Sequence, residues 1–528
     1  MRPTVYIGPL VVLALCGAAE LLLFRVAAPL ARFRRRVVLA LCFVVPLAVY
    51  LYCLAPGLAG DDSAEYALQA SRVGLAHAGG YPLYLLLGKL FTLPFGAHVA
   101  LGMNVMSAVF SAMAVVLLAL VILRTGCDDR LALYLGLQFA FVPAFWSQAV
   151  FAEVHNVNTA VGLGLILLLL TWRERGCGLR RGAAIGFLAG LATGVYFPGV
   201  LIAPALLLFA VAAPAASTRQ RLGRAAACVG SFALALALVC VAIVLKARQE
   251  PPLGSLYPPV NVRNLYCALT GKEYGFAVSG VGELLRNWRD LLRHYSRSLL
   301  WVTFGAGLMG MVVMARRGAI ALWLLLAGIV ACNAFYIYAR RPWTYPLMTN
   351  ISYAAFAVWA AWGYEWLFAW RGAVPRVAQR MLFVVPAVAL FAFHAGLVRG
   401  LPPEAAALDR SGERRFDAFA DDVLASAPPC SLVVASWPYA TAIRYKQAVH
   451  GLRPDIEAIE PRDGMWYGHV RVGSWREEVR RTYRRRPVFL AEPDPEVVTF
   501  AALTRSGPWL WRVVPRERCL PPKPFERP

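Results

Sequence analysis

Long apolar runs recur along this chain, and they limit what it can fold into. Most of these runs are about 18 residues or longer, which is enough for a helix to cross the hydrocarbon core of a bilayer. Of the 528 residues, 59% are hydrophobic, which is more than soluble proteins contain. The sequence therefore predicts an α-helical multi-pass membrane protein. About twelve spans are expected, at 5–24, 37–56, 100–123, 131–150, 157–172, 182–196, 198–213, 225–245, 297–315, 318–338, 347–369 and 378–398.

Two of these spans allow another interpretation. The run 182–196 is short, and Pro198 either separates two spans or kinks one longer helix. Two spans keep the arginine-rich loops on one side of the membrane, so they are favoured. The first run carries Glu20, which suggests an inward-facing or interfacial helix. A cleaved signal peptide is the alternative there, and the spans that follow disfavour it.

Arginine-rich loops set the expected orientation. They alternate with polar loops that are less basic, and they lie at 32–36, 124–130, 173–181, 219–224, 316–317 and 371–380. The positive-inside rule places this set in the cytoplasm. Orientation then explains the net charge of +23, so no nucleic-acid partner is expected. We expect a bacterial inner membrane protein with an outer, periplasmic face formed by residues 57–99, 153–156, 246–296, 336–346 and the tail after about 400.

The loop at residues 57–99, here named the first polar loop, is the first strongly polar segment after two apolar runs. It contains Asp61, Asp62 and Glu65, then His77, then a Gly-Gly-Tyr-Pro turn with Tyr81. Asp62 and Glu65 are three residues apart and share a face if the segment is helical. The alternative is an ordinary capped helix on a solvated loop, with Asp62 or Ser63 as the N-cap and Glu65 in the first turn. A carboxylate pair just outside the membrane core lies where a membrane enzyme meets a lipid-borne substrate, which favours a functional role.

The end of the first polar loop, YPLYLLLGKLFTLPFG, is apolar but is interrupted by Pro82, Lys89 and Pro94. This pattern predicts an interfacial or re-entrant helix and not a full span.

Other polar residues of the predicted outer face could line the same cavity. Glu153 and His155 lie at the end of a predicted helix, near the interface. Lys272 and Tyr274 belong to the long loop 246–296 and could contact a phosphate or a sugar. The alternative for the first pair is ordinary interfacial polarity, and for the second pair an ordinary loop.

Two adjacent arginines, Arg340 and Arg341, lie beside Trp343 and Tyr345 at the end of an apolar run. Guanidinium groups bind phosphate bidentately, so this pair would suit a lipid phosphate. Anchoring in lipid headgroups is the alternative.

The tail, about 400 to 528, changes character. CSLVVAS, DIEAIE, PVFLAE and WLWRVV read as strands, and TAIRYKQAVHG and WREEVRRTYRRR read as helices. Strands that alternate with helices predict a small α/β domain with a mainly parallel sheet. The sequence thus divides into a transmembrane domain at 1–399 and an extracytoplasmic α/β domain at 400–528. Cys430 and Cys519 could form a disulfide there if the compartment is oxidising.

The sequence has no phosphate-binding glycine loop, which argues against ATP-driven transport. It has no cysteine and histidine spacing of the zinc type either.

The first polar loop reads DSAEY from Asp62 and HAGGYPLY from His77. An ordered set of motifs that includes these two resembles the domain of unknown function 2723 family, whose first outer loop typically reads DSGEF followed by HPPGYPLY. That family consists of multi-pass proteins of the GT-C glycosyltransferase superfamily, and its animal members are protein O-mannosyltransferases. Further similarities are FWSQAVFAEVHNVN from Phe145, GLATGVYFPGVLIAP from Gly190, YPPVNVRNLYCALTGKEYGF from Tyr257, FYIYARRP from Phe335 and VVASWPYATAIRYKQAVHGLRPDI from Val433.

The sequence also departs from the family pattern. Ala78 and Gly79 replace two prolines, Tyr196 stands where relatives often have a histidine, and ARRPW is more basic than usual. These departures bear on the activity and the acceptor more than on the fold.

The resemblance implies a membrane glycosyltransferase. It would move a sugar, mannose or a similar hexose, from a polyprenyl-phosphate donor to a protein or glycan acceptor at the outer face, in contact with membrane lipids. Asp62 would be the catalytic base or an acceptor ligand, supported by Asp61 and Glu65. The cavity and the donor phosphate would be contacted by His77, Tyr81, Glu153, His155, Lys272, Tyr274, Arg340 and Arg341. A divalent metal could assist, and no other cofactor is expected.

Two other classes of function stay open. One is a transporter or flippase for lipid-linked sugars, which would share the membrane body and the polar cavity. The other is an envelope scaffold without activity, which would leave the group of Asp62, Glu65 and His77 unexplained.

Overall fold

A computed structural model describes residues 31–77, 79–213, 217–270, 272, 281–299, 301–338, 350–369, 408–467 and 470–515. The helices before residue 370 are α1 Ala31–Tyr52, α2 Ser63–Arg72, α3 Pro82–Thr92, α4 Val99–Arg124, α5 Asp129–Ala140, α6 Pro143–Ser147, α7 Val154–Glu174, α8 Leu179–Ala192, α9 Ile202–Ala212, α10 Thr218–Gln249, α11 Val262–Leu269, α12 Val281–Ser298, α13 Trp301–Arg316, α14 Ile320–Tyr338 and α15 Asn350–Ala369. The later elements are α16 Arg415–Ser426, β1 Leu432–Val434, α17 Trp437–His450, β2 Glu457–Ile459, β3 Trp466–Tyr467, β4 Val470–Arg471, α18 Trp475–Thr482, β5 Val488–Leu490, α19 Pro495–Phe500, β6 Ala502–Ser506 and β7 Leu510–Val514.

Several helices are suited to a membrane. In the described part of the chain, four are long and apolar enough to cross one, at Arg32–Tyr52, Val99–Arg124, Val154–Glu174 and Thr218–Gln249. Shorter apolar helices lie at Pro82–Phe95, Phe197–Ala212, Trp301–Arg316 and Ile320–Ala334. The predicted runs 5–24 and 378–398 lie outside the described residues. The prediction of a mostly helical membrane protein is confirmed.

Some predicted boundaries were wrong. The run 131–150 is not one helix, because α5 ends at Ala140 and Pro143 begins the separate helix α6. A proline lacks the N–H that would continue the helix. The stretch 246–296 is not a plain loop, since α10 extends to Gln249 and α11 and α12 follow. Near Pro198 the chain breaks as expected, because α8 ends at Ala192 and a 3₁₀ turn precedes α9.

Small residues bring the helices of the membrane body close together. A Cβ added at Gly190 of α8 would lie 2.4 Å from the carbonyl oxygen of Phe232 in α10. A Cβ at Gly363 of α15 would lie 2.0 Å from the carbonyl oxygen of Ala306 in α13. Close contact through small residues is typical of helices that pack in lipid, where the hydrophobic effect does not hold them together.

Asn104, buried in α4, holds two polar segments at one end of the body. Its Nδ2 donates to the carbonyl oxygens of Ala55, at 2.7 Å, and of Gly57, at 2.9 Å. Its Oδ1 accepts from the N–H of Ala152 at 2.8 Å. One side chain thereby fixes the start of the first polar loop beside the residues that precede α7.

The tail forms the expected α/β unit with one difference. Its main sheet has the strand order β2-β1-β5-β7-β6. Strands β2, β1 and β5 are parallel, as predicted, but β7 and β6 run antiparallel to their neighbours because they form a hairpin. Helix α17 ends at His450 and is followed by Gly451, which has a φ of +67°; glycine adopts this left-handed geometry without strain. The predicted boundary near residue 400 lies outside the described residues.

The tail packs against the first polar loop. The N–H of Arg410 donates to the carbonyl oxygen of Cys53 at 2.9 Å. The N–H of Leu58 donates to Asp417 Oδ2 at 2.9 Å, and Gly57 leaves room for this carboxylate. These contacts bring the ends of β1 and β2 to the acidic residues of the loop.

Candidate active site

Asp62 occupies the N-cap position of α2 without capping it. An aspartate there ordinarily accepts from the second or third N–H of the helix, but the Asp62 side chain makes no such bond. Its Oδ1 instead accepts from Trp437 Nε1 at 3.1 Å. Its Oδ2 lies 3.4 Å from His77 Nε2. The carboxylate is therefore directed into a cluster of side chains and not along its own helix.

Glu65 and His77 form a buried pair. The backbone N–H of His77 donates to Glu65 Oε1 at 2.7 Å, and the ring Nδ1 contacts Oε2 of the same carboxylate. The turn that follows His77 uses Gly79 and Gly80, whose φ values of +102° and +72° suit glycine. Burial raises the pKa of Glu65, and the charge and hydrogen bonds of His77 oppose that rise.

Glu153 and His155 form a second, looser pair beside the first. His155 Nε2 lies 3.8 Å from Glu153 Oε2, which also accepts from the N–H of Val154 at 3.0 Å. The Ser107 hydroxyl accepts from the N–H of Glu153 at 3.1 Å. Burial raises the pKa of Glu153 well above its ordinary value, and the negative charges of Asp62 and then Asp61 raise it further. The two polar segments thus share one electrostatic environment.

Aromatic rings connect the two histidines. Tyr81 lies edge-on to His77, with ring centroids 5.9 Å apart, and stacks on Tyr196 at 6.1 Å. Tyr196 in turn lies edge-on to His155 at 5.0 Å. Tyr196 therefore lies between the two carboxylate–histidine pairs.

The tail contributes residues that sequence reasoning missed. Trp437 follows β1, and Glu460 follows β2 and is buried. Burial raises the pKa of Glu460; Asp62 and Glu65 add to the rise, while Arg462 and His77 oppose it. Both residues stand at the carboxyl ends of parallel strands, where ligands commonly bind in α/β sheets. That rule, applied to the predicted strands, could have found them.

Arg410 was also missed. Its guanidinium carbon lies 4.2 Å from the ring centroid of Phe151. It is close enough to Asp61 for their charges to interact. Asp61 is exposed and has a φ of +55°, a left-handed geometry that aspartate tolerates better than most residues.

The remaining predicted site residues are not placed in this cluster. Lys272 is exposed. Tyr274, Arg340 and Arg341 lie outside the described residues.

Three side chains of the cluster are close enough to be compared with a metal site. One oxygen or nitrogen atom each of Asp62, Glu65 and His77 lies within 4.8 Å of the others. The two carboxylates face different nitrogens of the same imidazole ring. An ion would therefore be held by Asp62 and His77 Nε2, with Glu65 orienting the ring from its other nitrogen; without an ion, the three groups form a hydrogen-bonded chain from Glu65 through His77 to Asp62.

The match to a known family model begins at the same acidic residue, Asp62. Residues 62–219 match the model of the Protein O-mannosyl-transferase TMEM260 N-terminal domain. The chain is 30% identical over 155 residues to Protein O-mannosyl-transferase TMEM260 of Mus musculus, which is 29% of this chain and 22% of that protein. It is 26% identical over 140 residues to the Dictyostelium discoideum protein of that name, 17% of which is covered. The chain thus spans under a quarter of the length of these relatives, and the resemblance to O-mannosyltransferases is confirmed for that region.

A solved structure extends the likeness to nearly the whole chain. ArnT from Cupriavidus metallidurans, solved bound to undecaprenyl phosphate, matches with a TM-score of 0.58 and 12% identity, over 92% of this chain and 98% of ArnT. The chain has a GT-C fold. In this GT-C fold the five carboxylates and two histidines described above come from three separate segments: the first polar loop, the residues around the start of α7 and the tail.

Proposed function

We propose that this protein is a membrane glycosyltransferase that moves a hexose, mannose or a close relative, from a polyprenyl-phosphate donor to a hydroxyl group of a protein or glycan. The names of the mouse and Dictyostelium relatives support sugar transfer to protein. The lipid phosphate named with ArnT supports a lipid-linked donor. The arginine-rich loops support a site on the outer face of the membrane.

We assign the catalytic base from the solvent exposure of the carboxylates. Three carboxylates face a histidine, and their exposed side-chain fractions are 28% for Asp62, 0% for Glu65 and 6% for Glu153. A general base must reach the proton that it removes. Of the three, Asp62 alone has the exposure to meet a substrate hydroxyl.

The reaction then follows from the chain of contacts. The acceptor oxygen attacks C1 of the sugar, its proton passes to Asp62, and the bond from C1 to the phosphate oxygen breaks to release polyprenyl phosphate. His77 faces carboxylates at both ring nitrogens, so a protonated ring makes both contacts favourable. Glu65 holds that ring, and the ring together with the Trp437 N–H orients Asp62.

The leaving phosphate needs positive charge. Arg410 lies over the Phe151 ring, close enough to Asp61 for their charges to interact, and its guanidinium is our candidate among the described residues for bidentate binding of the phosphate. We also propose Arg340 and Arg341 for the donor phosphate. Lysine at either of these two positions should restore activity only partly, because an ammonium lacks the bidentate fork.

A reconstituted assay distinguishes a transferase from a flippase. The purified protein is placed in liposomes with a panel of radiolabelled polyprenyl-phosphate hexoses and a hydroxyl-bearing peptide, and the matched control is Asp62→Asn. A transferase moves label to the peptide and consumes the donor, and the variant does not. Movement of intact donor between leaflets without loss of its sugar, unchanged in the variant, would support the flippase instead.

A further inference from the structure

We propose that Trp437, which comes from the C-terminal α/β segment, is a positioning residue for Asp62. This inference rests on the proposed function for its kinetic consequences but not for its geometry. It makes the tail a working part of the catalytic site, in addition to any acceptor binding.

The Asp62 carboxylate is bound by the tail and not by its own helix. An N-cap aspartate with extended backbone would accept from the N–H of Ala64 or Glu65, but Asp62 has a φ of −95° and a ψ of 2° and makes no such bond. The indole N–H of Trp437 donates to Asp62 Oδ1 at 3.1 Å instead. Oδ2 is then left facing His77.

Trp437 contacts two of the three members of the chain from Glu65 through His77 to Asp62, namely Asp62 and His77. Its ring lies edge-on to the His77 ring, with centroids 6.1 Å apart and an interplanar angle of 79°. One side chain of the tail therefore fixes the position of the carboxylate and limits the movement of the imidazole.

A third segment holds Trp437 in place. Gly254 has a φ of +62°, and a Cβ there would lie 2.1 Å from the Trp437 ring. The N–H of Gly254 donates to the carbonyl oxygen of Trp466 at 2.8 Å. The N–H of Trp466 donates in turn to the carbonyl oxygen of Ser255 at 3.0 Å. The segment after α10 thus pairs with the tail and closes over the indole.

Trp437→Phe tests the inference because it keeps an aromatic ring and removes the donor. We expect kcat to fall about 10- to 100-fold, the range for a hydrogen bond to a charged group, while the donor KM changes little. Glu496→Gln, an exposed site on α19, is the control and should match the wild type. An unchanged kcat in an active enzyme would overturn the positioning role and leave the proposed function intact.

A double-mutant cycle separates positioning from general damage. If Trp437 acts through Asp62, then Trp437→Phe should have no further effect in an Asp62→Asn background, because interacting residues are not additive. If the two losses multiply, Trp437 acts elsewhere and the inference fails.

A spectroscopic measurement needs no substrate. In protein labelled with 5-fluorotryptophan, the ¹⁹F resonance of Trp437 is assigned by its loss in Trp437→Phe. We expect it to shift in Asp62→Asn and to stay in place in Glu496→Gln. If the Trp437 resonance has the same chemical shift in Asp62→Asn as in the wild type, the contact between Trp437 and Asp62 is contradicted, whatever reaction the protein catalyses.

Glycine substitutions supply a second route to the same residue. Gly254→Ala should displace Trp437 and reproduce the kcat loss of Trp437→Phe. Gly451→Ala is the matched control, because it has a similar φ of +67° but nothing within 4 Å of the added Cβ. The Gly451→Ala variant has the backbone strain of a positive φ without a clash. Equal kcat values for the two alanine variants would therefore contradict the proposal that Gly254 leaves room for the Trp437 ring and holds it in place.

Discussion

Glu65 holds His77 at two points, since its Oε1 accepts from the backbone N–H of His77 at 2.7 Å and its Oε2 contacts the ring Nδ1. The carboxylate is fully buried, so the pair fixes both the position and the orientation of the imidazole. The opposite ring nitrogen then faces Asp62. This relationship explains why a histidine twelve residues from a glutamate belongs to the same site.

The pair predicts a pH-dependent loss of stability in His77→Ala. Burial raises the pKa of Glu65 and His77 opposes the rise, so removing His77 should raise it further. A carboxyl group whose pKa is higher in the folded than in the unfolded protein binds more protons when the protein is folded. The protein therefore loses stability as pH rises from the unfolded pKa to the folded pKa of that group. At a pH above the folded pKa, each additional unit by which the pKa of Glu65 is raised lowers the free energy of unfolding by about 1.4 kcal/mol.

Melting temperatures in detergent from about pH 5 to pH 8 check this expectation. Glu65→Gln in the same variant should abolish the additional pH dependence. His98→Ala, at an exposed histidine, is the control. A His77→Ala profile parallel to that of the wild type would show that the histidine does not stabilise the buried charge.

Glu153→Gln should gain stability relative to the wild type as pH rises. The pKa of Glu153 is raised well above its ordinary value by burial and by the charges of Asp62 and Asp61. As pH rises from the ordinary pKa of a glutamate to the raised pKa of folded Glu153, the wild type therefore loses stability. The Glu153→Gln protein does not, because its amide stays neutral. The two proteins should melt alike below that range and diverge above it by about 1.4 kcal/mol for each unit of the shift. A Glu153→Gln protein that melts below the wild type at every pH would contradict this reasoning.

Arg410→Gln should raise the donor KM by about 10-fold or more if the guanidinium binds the donor phosphate, since charged hydrogen bonds are worth about 1.5–3 kcal/mol. Arg410→Lys should recover part of this loss, because lysine keeps the charge without the fork. Arg414→Gln, at an exposed arginine on the same segment, provides the control. Unchanged donor kinetics in Arg410→Gln would assign the phosphate to other residues, with Arg340 and Arg341 the next to test.

The sequence predicted the local elements of this fold better than its long-range contacts. Apolar runs identified most helices because lipid requires length and hydrophobicity. They failed where backbone chemistry decided the boundary, as at Pro143. The strands around Val433 and Ala458 were found because short apolar runs between turns are distinctive. The sheet was predicted to be mainly parallel, and the antiparallel pairing of β7 with β5 and β6 was missed because strand direction depends on the pairing and not on composition.

The site was predicted in part for the same reason. Asp62, Glu65 and His77 lie within sixteen residues, so spacing alone could suggest a group. Trp437 lies 375 residues from Asp62, and no local pattern joins them. Their contact depends on how the tail packs against the first polar loop, which the sequence does not state.

The central claim is that Asp62 is the base for sugar transfer, and single-turnover kinetics tests it most directly. Enzyme in excess over a radiolabelled polyprenyl-phosphate hexose is mixed with acceptor peptide, and transfer is timed for the wild type, Asp62→Asn and Asp61→Asn. We expect Asp62→Asn to slow transfer by about 10² to 10⁴ with normal melting behaviour, and Asp61→Asn to stay within a few-fold of the wild type. Transfer by folded Asp62→Asn at the wild-type rate would contradict the account and move the catalytic role to another carboxylate.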